Sequence, residues 1–387
     1  MSSNFFEGPI PLPTATVGLL DLSNNAFSGH IPKTIGETMP DLLFLSLSRN
    51  QLIGEIPASI CKFWSKVRVI DLSNNMLNGN IPPSIGNCSY LEALDLSKNN
   101  LCGNIPSSLA PLSMLKTLHL SDNKLSGDLS QSLQNMSSLE TLDIGNNMLT
   151  GRIPPWIGKG FEHLRILRLR SNAIFGELPI TLTNLSSLRV LDLAENQFNG
   201  SIPASFGDFK AMAQAQNMNR YLFYGMYRGR YYDESLIVNL KGSPQIYTKT
   251  LSLVISIDLS GNNLSGDLPE EITKLSGLVV LNLSGNQISG GILQDISKLT
   301  HCPGADPGKG GGTVEDNDSG DSFIDKWFYL SVGLGFAAGL LVPFFILAIR
   351  KPWSDAYFRF VDKVLERISC LRNRRAVHHR TRRPHLS

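Results

Sequence analysis

One pattern limits what this chain can fold into: L-x-L-S-x-N-x-L-x-G-x-I-P, repeated along most of its length. A clear copy runs from Val69 to Gly86, with Ile70 in the first slot. The asparagines of successive copies stand at Asn25, Asn50, Asn75, Asn99, Asn123, Asn147, Asn172 and Asn196, 24 or 25 residues apart. After a gap of 66 residues the pattern resumes at Asn262 and Asn286. Ser3-Asn4 with Gly8-Pro9-Ile10-Pro11 reads as the tail of one more copy. A fixed period of this length means a solenoid, in which each unit buries its apolar face only against its neighbours.

Each slot has a physical reason. L-x-L alternates and predicts a short strand with its leucines turned inward. Stacked copies predict a parallel sheet over a continuous leucine core. The Asn falls where the chain bends away from the strand, and its amide can satisfy the backbone groups left unpaired there. The Gly four residues later permits a tight turn. The Ile of I-P is a core residue, and the Pro ends the strand and stiffens the outer side.

With these slots, L-x-x-L-x-x-L-x-L-S-x-N-x-L-x-G-x-I-P resembles the plant-specific leucine-rich repeat, over about three quarters of the chain. The resemblance implies an α/β-type leucine-rich-repeat solenoid with parallel strands on its concave face. Receptor kinases, receptor-like proteins and secreted inhibitors of the polygalacturonase-inhibitor kind share that repeat, so it does not choose among their functions.

The chain has 387 residues, 42% of them hydrophobic, and a net charge of +2. Near-neutrality argues against a general nucleic-acid binder. Met1 falls inside a repeat, with neither a signal peptide nor a capping segment before it. The expectation is a truncated product; the alternative is a short form that inserts through its own transmembrane segment.

Residues 1–208 hold about eight full repeats and one partial. The position between the two leucines of each strand points to the concave face and reads Asp21, Ser46, Asp71, Asp95, His119, Asp143, Arg168, Asp192. Asp71 and Asp95 repel, whereas His119 and Arg168 each stand between two aspartates and compensate them. Arg165, Arg168 and Arg170 give one repeat a basic face. The lane reads either as part of a ligand surface or as a solvated, charge-balanced row, and the compensation favours the second.

Residues 209–250 break the period. Tyr221, Tyr224, Tyr227, Tyr231 and Tyr232 lie among Arg220, Arg228 and Arg230. Tyr and Arg are enriched in binding hot spots, and a long insertion in a regular coil is usually functional. The alternative is a floppy loop with incidental aromatics. Leu240-Lys241-Gly242, Tyr247 and the restart from Leu253 to Ser260 resemble the island of plant receptor-like proteins. Two further repeats fill 251–301. The family leads us to expect about two more and a cap with two cysteines, of which Cys302 resembles the second.

Cys61 and Cys88 stand at similar offsets in adjacent repeats, a spacing that allows a disulfide. Cys102 reads as a core residue, and Cys370 as a free thiol or an acylation site. N-x-S/T sequons occur at Asn87, Asn135, Asn184, Asn199, Asn263, Asn282 and Asn317; if secreted, several should carry glycans, Asn282 least certainly because it sits in a strand.

An acidic, Gly-rich stalk, 302–326, leads to 327–349, 23 residues without a charge. As a helix that stretch is about 35 Å long, enough to span a bilayer. Residues 350–387 hold eleven Lys or Arg against three Asp or Glu, so the repeats are expected outside and the tail in the cytosol. Gly335 and Gly339 form a G-x-x-x-G face for close helix contact. Phe358, Val361, Leu365 and Ile368 give the basic tail an apolar side that suits the anionic inner leaflet. AYFRFVDKVLER, from Ala356, resembles the tail of receptor-like proteins of the Cf and ethylene-inducing-xylanase-receptor type.

No metal, cofactor, phosphate-loop or nucleophile motif stands in the chain, so an enzyme is not expected. The resemblance implies a plasma-membrane, single-pass receptor-like protein without a kinase. It would bind an extracellular ligand and signal through adaptor and co-receptor receptor kinases, in defence or less often development. A truncated decoy and a soluble enzyme inhibitor are the alternatives.

Overall fold

A computed structural model describes residues 1–12, 17–64, 66–129, 131–214, 222–240, 243–248, 254–291 and 293, all within one compact unit, Met1–Ala305. The expected stalk, membrane span and tail, with Gly335, Gly339, Asn317, Cys302 and Cys370, lie outside the described residues, as does Tyr221. Among the described residues no helix is long and apolar enough to cross a membrane.

The L-x-L segments form one parallel sheet of ten strands: Leu19–Asp21, Phe44–Ser46, Val69–Asp71, Ala93–Asp95, Thr117–His119, Thr141–Asp143, Ile166–Arg168, Val190–Asp192, Ser256–Asp258 and Val280–Asn282. Register is unbroken across the insertion, because Val190 pairs directly with Ser256 and Asp192 with Asp258. The middle residue of each strand enters the core; it is fully buried in the inner strands, as at Leu94, Leu118 and Leu167, and half-buried at the two end strands, Leu20 and Leu281. The first and third face the concave side, as strand alternation requires.

The asparagines hold consecutive turns together. Asn123 Nδ2 donates to the carbonyls of Leu96, Leu120 and Ser121 at 3.0, 3.1 and 3.2 Å, while its Oδ1 accepts from the Leu101 amide at 3.0 Å. Each such side chain therefore satisfies groups in its own turn and in the preceding one. The residue before the Asn takes a left-handed backbone even where it is Lys98, Asp122 or Glu195, with φ of 54°, 57° and 53°. Side chains with a Cβ pay an energetic cost there.

The Gly was expected to permit a tight turn; the segment x-L-x-G-x that contains it forms additional parallel sheets on the flank. One has seven strands, from Glu7–Gly8 to Met148–Leu149, and another has four, from Phe175–Glu177 to Gln287–Ser289. The glycine is needed for its backbone. Gly103 has φ of +74°, and a Cβ there would run into Asn80 Oδ1. Cys102 lies one residue past the buried Leu101 and is exposed, which corrects its reading as a core residue. The outer side is built mainly of 3-10 turns such as Pro83–Asn87 and Ile180–Asn184, with two four-residue α-helical turns. So few residues separate I-P from the next strand that a longer helix cannot nucleate.

Cys61 and Cys88 form a disulfide, with their Cα atoms 5.2 Å apart. Phe209 and Met212 are fully buried in the main core, so the start of the insertion still belongs to the coil. The insertion then folds as two antiparallel hairpins: Phe223–Tyr227 with Arg230–Asp233, and Leu236–Leu240 with Ser243–Tyr247.

Candidate functional site: the concave face under the island

Two lanes of side chains face the hollow of the coil. The third strand position carries the charged lane already described. The first carries Leu19, Phe44, Val69, Ala93, Thr117, Thr141, Ile166 and Val190, which are mostly apolar. An open concave face would leave this row in water. Instead Phe44, Val69, Ala93, Ile166 and Val190 are buried in one cluster with Leu222, Tyr224, Tyr232, Leu236 and Val254. The island folds back over the sheet and covers that lane.

Polar contacts fix its seat. The Tyr232 hydroxyl donates to Asp95 Oδ2 at 2.9 Å, and the Gly225 amide donates to Glu92 Oε2 at 3.3 Å. Gly225 has φ of +59°, and a Cβ there would collide with Val69 Cγ2. Glu234 is fully buried, accepts from Thr117 Oγ1 at 2.7 Å, and lies 2.6 Å from His119 Nε2. The other ring nitrogen of His119 faces Asp143 Oδ2 at 3.5 Å. Burial disfavours a charged ring, but Glu234, Asp143 and Asp95 overcome it and hold the His119 pKa well above its ordinary value. Burial likewise opposes the Asp143 carboxylate, yet Arg168 and His119 hold its pKa below the usual range. Burial, then Asp95 and Glu234, push the Tyr232 phenol well up, so it remains a donor.

The residues expected to contact a ligand divide accordingly. Tyr224 and Tyr232, expected as ligand contacts, are buried at the island–sheet contact, where their rings fill the space over the apolar lane. Tyr227 is half-buried against Gly18. Tyr231 is exposed and packs on Phe223 with ring centroids 4.2 Å apart. Arg228 and Gly229 make a two-residue turn, with φ of 48° and 78°, and present the Arg228 side chain to solvent. Arg230 reaches Asp21 at 3.4 Å.

Arg165, Arg168 and Arg170 are all buried. Arg168 bonds both Asp143 oxygens at 3.0 and 3.1 Å and lies 3.4 Å from Asp192. Arg170 pairs with Asp192 at 3.1 Å and Glu195 at 3.0 Å. Arg165 lies 3.7 Å from Glu140. Around Arg168 and Arg170 acids and guanidiniums pair off, and this stretch of the lane is shielded rather than solvated. The island cover was missed, and the run of apolar residues in the first strand slot was the signal for it.

Between the island and the lower edge of the strands a cleft of about 370 Å³ remains open. Its floor is the aspartate lane and the serine row beside it, Ser23, Ser48, Ser73, Ser97 and Ser121; its wall includes Arg230, Tyr231 and Asp233. Asp71 and Asp95 are register partners. Burial, and then the Asp95 charge, push the Asp71 pKa up to about 6. Hydroxyls and carboxylates in rows can accept hydrogen bonds from main-chain amides and from cationic groups.

Residues 18–37, 41–63, 66–88, 90–112, 187–209, 254–275 and 277–299 match the family model described as Leucine Rich Repeat, and residues 113–157 match Leucine Rich repeats (2 copies). This chain is a leucine-rich-repeat protein. No curated protein matches it. Among solved structures, this leucine-rich-repeat chain is similar to a TDR receptor, at 27% identity and a TM-score of 0.62 over 76% of this chain and 44% of that one. It is also similar to the ectodomain of the Arabidopsis receptor kinase HAESA with an extended IDA peptide hormone: 30% identity, TM-score 0.60, 76% of this chain and 43% of that one. A second HAESA structure, with IDA and the co-receptor SERK1, matches at 25% and 0.50, over 76% and 50%. A plant ice-binding protein matches at 25% and 0.53, over 72% of this chain and 76% of that one. The chain spans about half the length of the receptor ectodomains it matches.

Proposed function

We propose that this chain recognises an extracellular peptide as the ligand-binding part of a plant receptor-like protein. The observation that carries this reading is the cleft between the anchored island and the polar lanes of the concave sheet. An extended peptide laid across the strands there meets the serine row and the Asp71–Asp95 pair, while Arg230 and Tyr231 border it from the island. The likeness to HAESA, whose structures hold a peptide hormone and a co-receptor, supports the same reading. On this reading 327–349 crosses the plasma membrane once, with the repeats outside. Gly335 and Gly339 contact an adaptor kinase helix, co-receptor kinases supply the signal, and the role is in defence.

The test is biolayer interferometry of the immobilised full chain against a library of secreted plant peptides. The Asp71→Asn/Asp95→Asn double variant should weaken any peptide hit at least about tenfold. A peptide bound equally well by the double variant places the ligand elsewhere and contradicts the reading.

A further inference from the structure

The aspartates of the concave lane each have a counter-charge, except at two adjacent rungs. Arg230 lies 3.4 Å from Asp21, Arg168 3.0 Å from Asp143, and Arg170 3.1 Å from Asp192. Asp71 and Asp95 are register partners on neighbouring strands, about 4.8 Å apart, and among the described residues neither forms an ion pair with Arg or Lys. Hydroxyls and amides serve them instead. Asp71 accepts from the Ser73 amide and hydroxyl at 3.1 and 2.7 Å, from the Ser46 hydroxyl at 3.0 Å, and also from Ser48. Asp95 accepts from the Ser97 amide and hydroxyl at 2.9 and 2.7 Å.

The island shows why this stretch stays open. Arg230, Tyr232 and Glu234 alternate along the chain, so all three turn toward the lane. Arg230 meets Asp21, Tyr232 meets Asp95, and Glu234 meets His119. The rungs between Asp21 and Asp95 are Ser46 and Asp71, and no described island side chain bonds either. There the cleft of about 370 Å³ opens. His119, the rung beyond Asp95, is attracted to it but spends its two ring nitrogens on Glu234 and Asp143. Arg49 and Lys98 border the cleft from the bends after the strands, and Asp122 and Asp233 add carboxylates to its lining.

We propose that acid shuts this cleft to its ligand: below neutrality Asp71 holds a proton, and a cationic group of the ligand, a guanidinium or an ammonium, binds only by releasing that proton to solvent. The inference rests on the function proposed above and adds the chemistry of its ligand and the control of its site. Arg230, seated on Asp21, is the intramolecular counterpart of the group expected at Asp71. Burial, and then Asp95, push the Asp71 pKa up to about 6. The ionised fraction of such a group is about a tenth at pH 5 and about nine tenths at pH 7. Apparent affinity scales with the fraction ready to bind, so it should fall about tenfold from pH 7 to pH 5.

The probes are two acetylated, amidated five-residue peptides of serine and glycine, one with arginine at its centre and one with glutamine. They are titrated into the purified full chain at constant ionic strength and followed by ligand-observed NMR. The arginine peptide should bind at pH 7 and about tenfold more weakly at pH 5. The glutamine peptide should bind more weakly at pH 7 and equally at both values. Asp71→Asn, which imitates the protonated form, should hold the arginine peptide at pH 7 no better than the wild type does at pH 5, with no change between the two. An arginine peptide that binds no better than the glutamine one at pH 7 overturns the proposal. So does a pH dependence that survives in Asp71→Asn, since it would belong to another group, such as Asp192, which burial also pushes to about 6 in the shielded stretch. A library peptide that is lost in Asp71→Asn/Asp95→Asn yet binds equally at both pH values leaves the proposed function standing and sinks this inference. A pH-dependent arginine probe with no library hit does the reverse.

Discussion

The stacking asparagine is the residue on which the coil depends most. Its four hydrogen bonds at Asn123 all go to backbone groups, two of them in the preceding turn. Asn123→Ala should cost about 1–3 kcal/mol, measured by denaturant unfolding, since the groups it leaves are buried. This role was legible because it repeats with the period. The concave charges were legible in identity but not in environment. Asp71 binds its proton more tightly in the folded chain, with a pKa of about 6, so ionising it opposes folding as pH rises from about 4 through 6. Asp71→Asn should therefore raise the unfolding temperature at pH 7 and leave it nearly unchanged at pH 4. A similar gain at both values would mean that the cost of ionising Asp71, buried and beside Asp95, is not the cause.

At the scale of the element, the island was legible as an insertion with a binding composition, but its fold was not. Its anchoring contacts join residues far apart in the chain, Tyr232 to Asp95 and Glu234 to Thr117, and no local periodicity encodes them. The lane it covers could have been read: Phe44, Val69, Ile166 and Val190 are poor choices for an open face. Gly225 lies against Val69 of the sheet, with no room for a Cβ between them. Gly225→Val should lift the first hairpin off Val69, and limited proteolysis should then cut within 222–236 at least about tenfold faster while the repeats stay intact. His119 adds a pH dependence. Its folded pKa lies above the unfolded value of about 6.5, so its contribution is full below that pH and fades as pH rises through the raised value. Protection of the hairpin amides should fall over the same alkaline window.

For the whole molecule, the solenoid is the scaffold and the island divides its concave face into a shielded half and an open one. Asn87, Asn135, Asn184, Asn199 and Asn263 are exposed, whereas Asn282 is half-buried with its amide bonded to Ser260 and its carbonyl oxygen to Ser284. Expressed with a C-terminal tag in plant cells, the chain should show a glycosidase-sensitive mass with Asn282 unmodified, and surface protease should remove the repeats but spare the tag. An unglycosylated, protease-resistant product would contradict the proposed topology. The central claim, that the island is seated on the sheet through the buried Glu234–His119 pair, is tested most directly by hydrogen exchange of the full chain at pH 6, with and without Glu234→Ala. Removing one partner of a buried pair costs about 3–5 kcal/mol, so the account predicts slow exchange across Phe223–Asp233 in the wild type. In the variant, exchange there should be at least about a hundredfold faster, with the Leu94 and Leu118 amides unchanged. A wild-type hairpin that exchanges as fast as a free peptide would contradict the account.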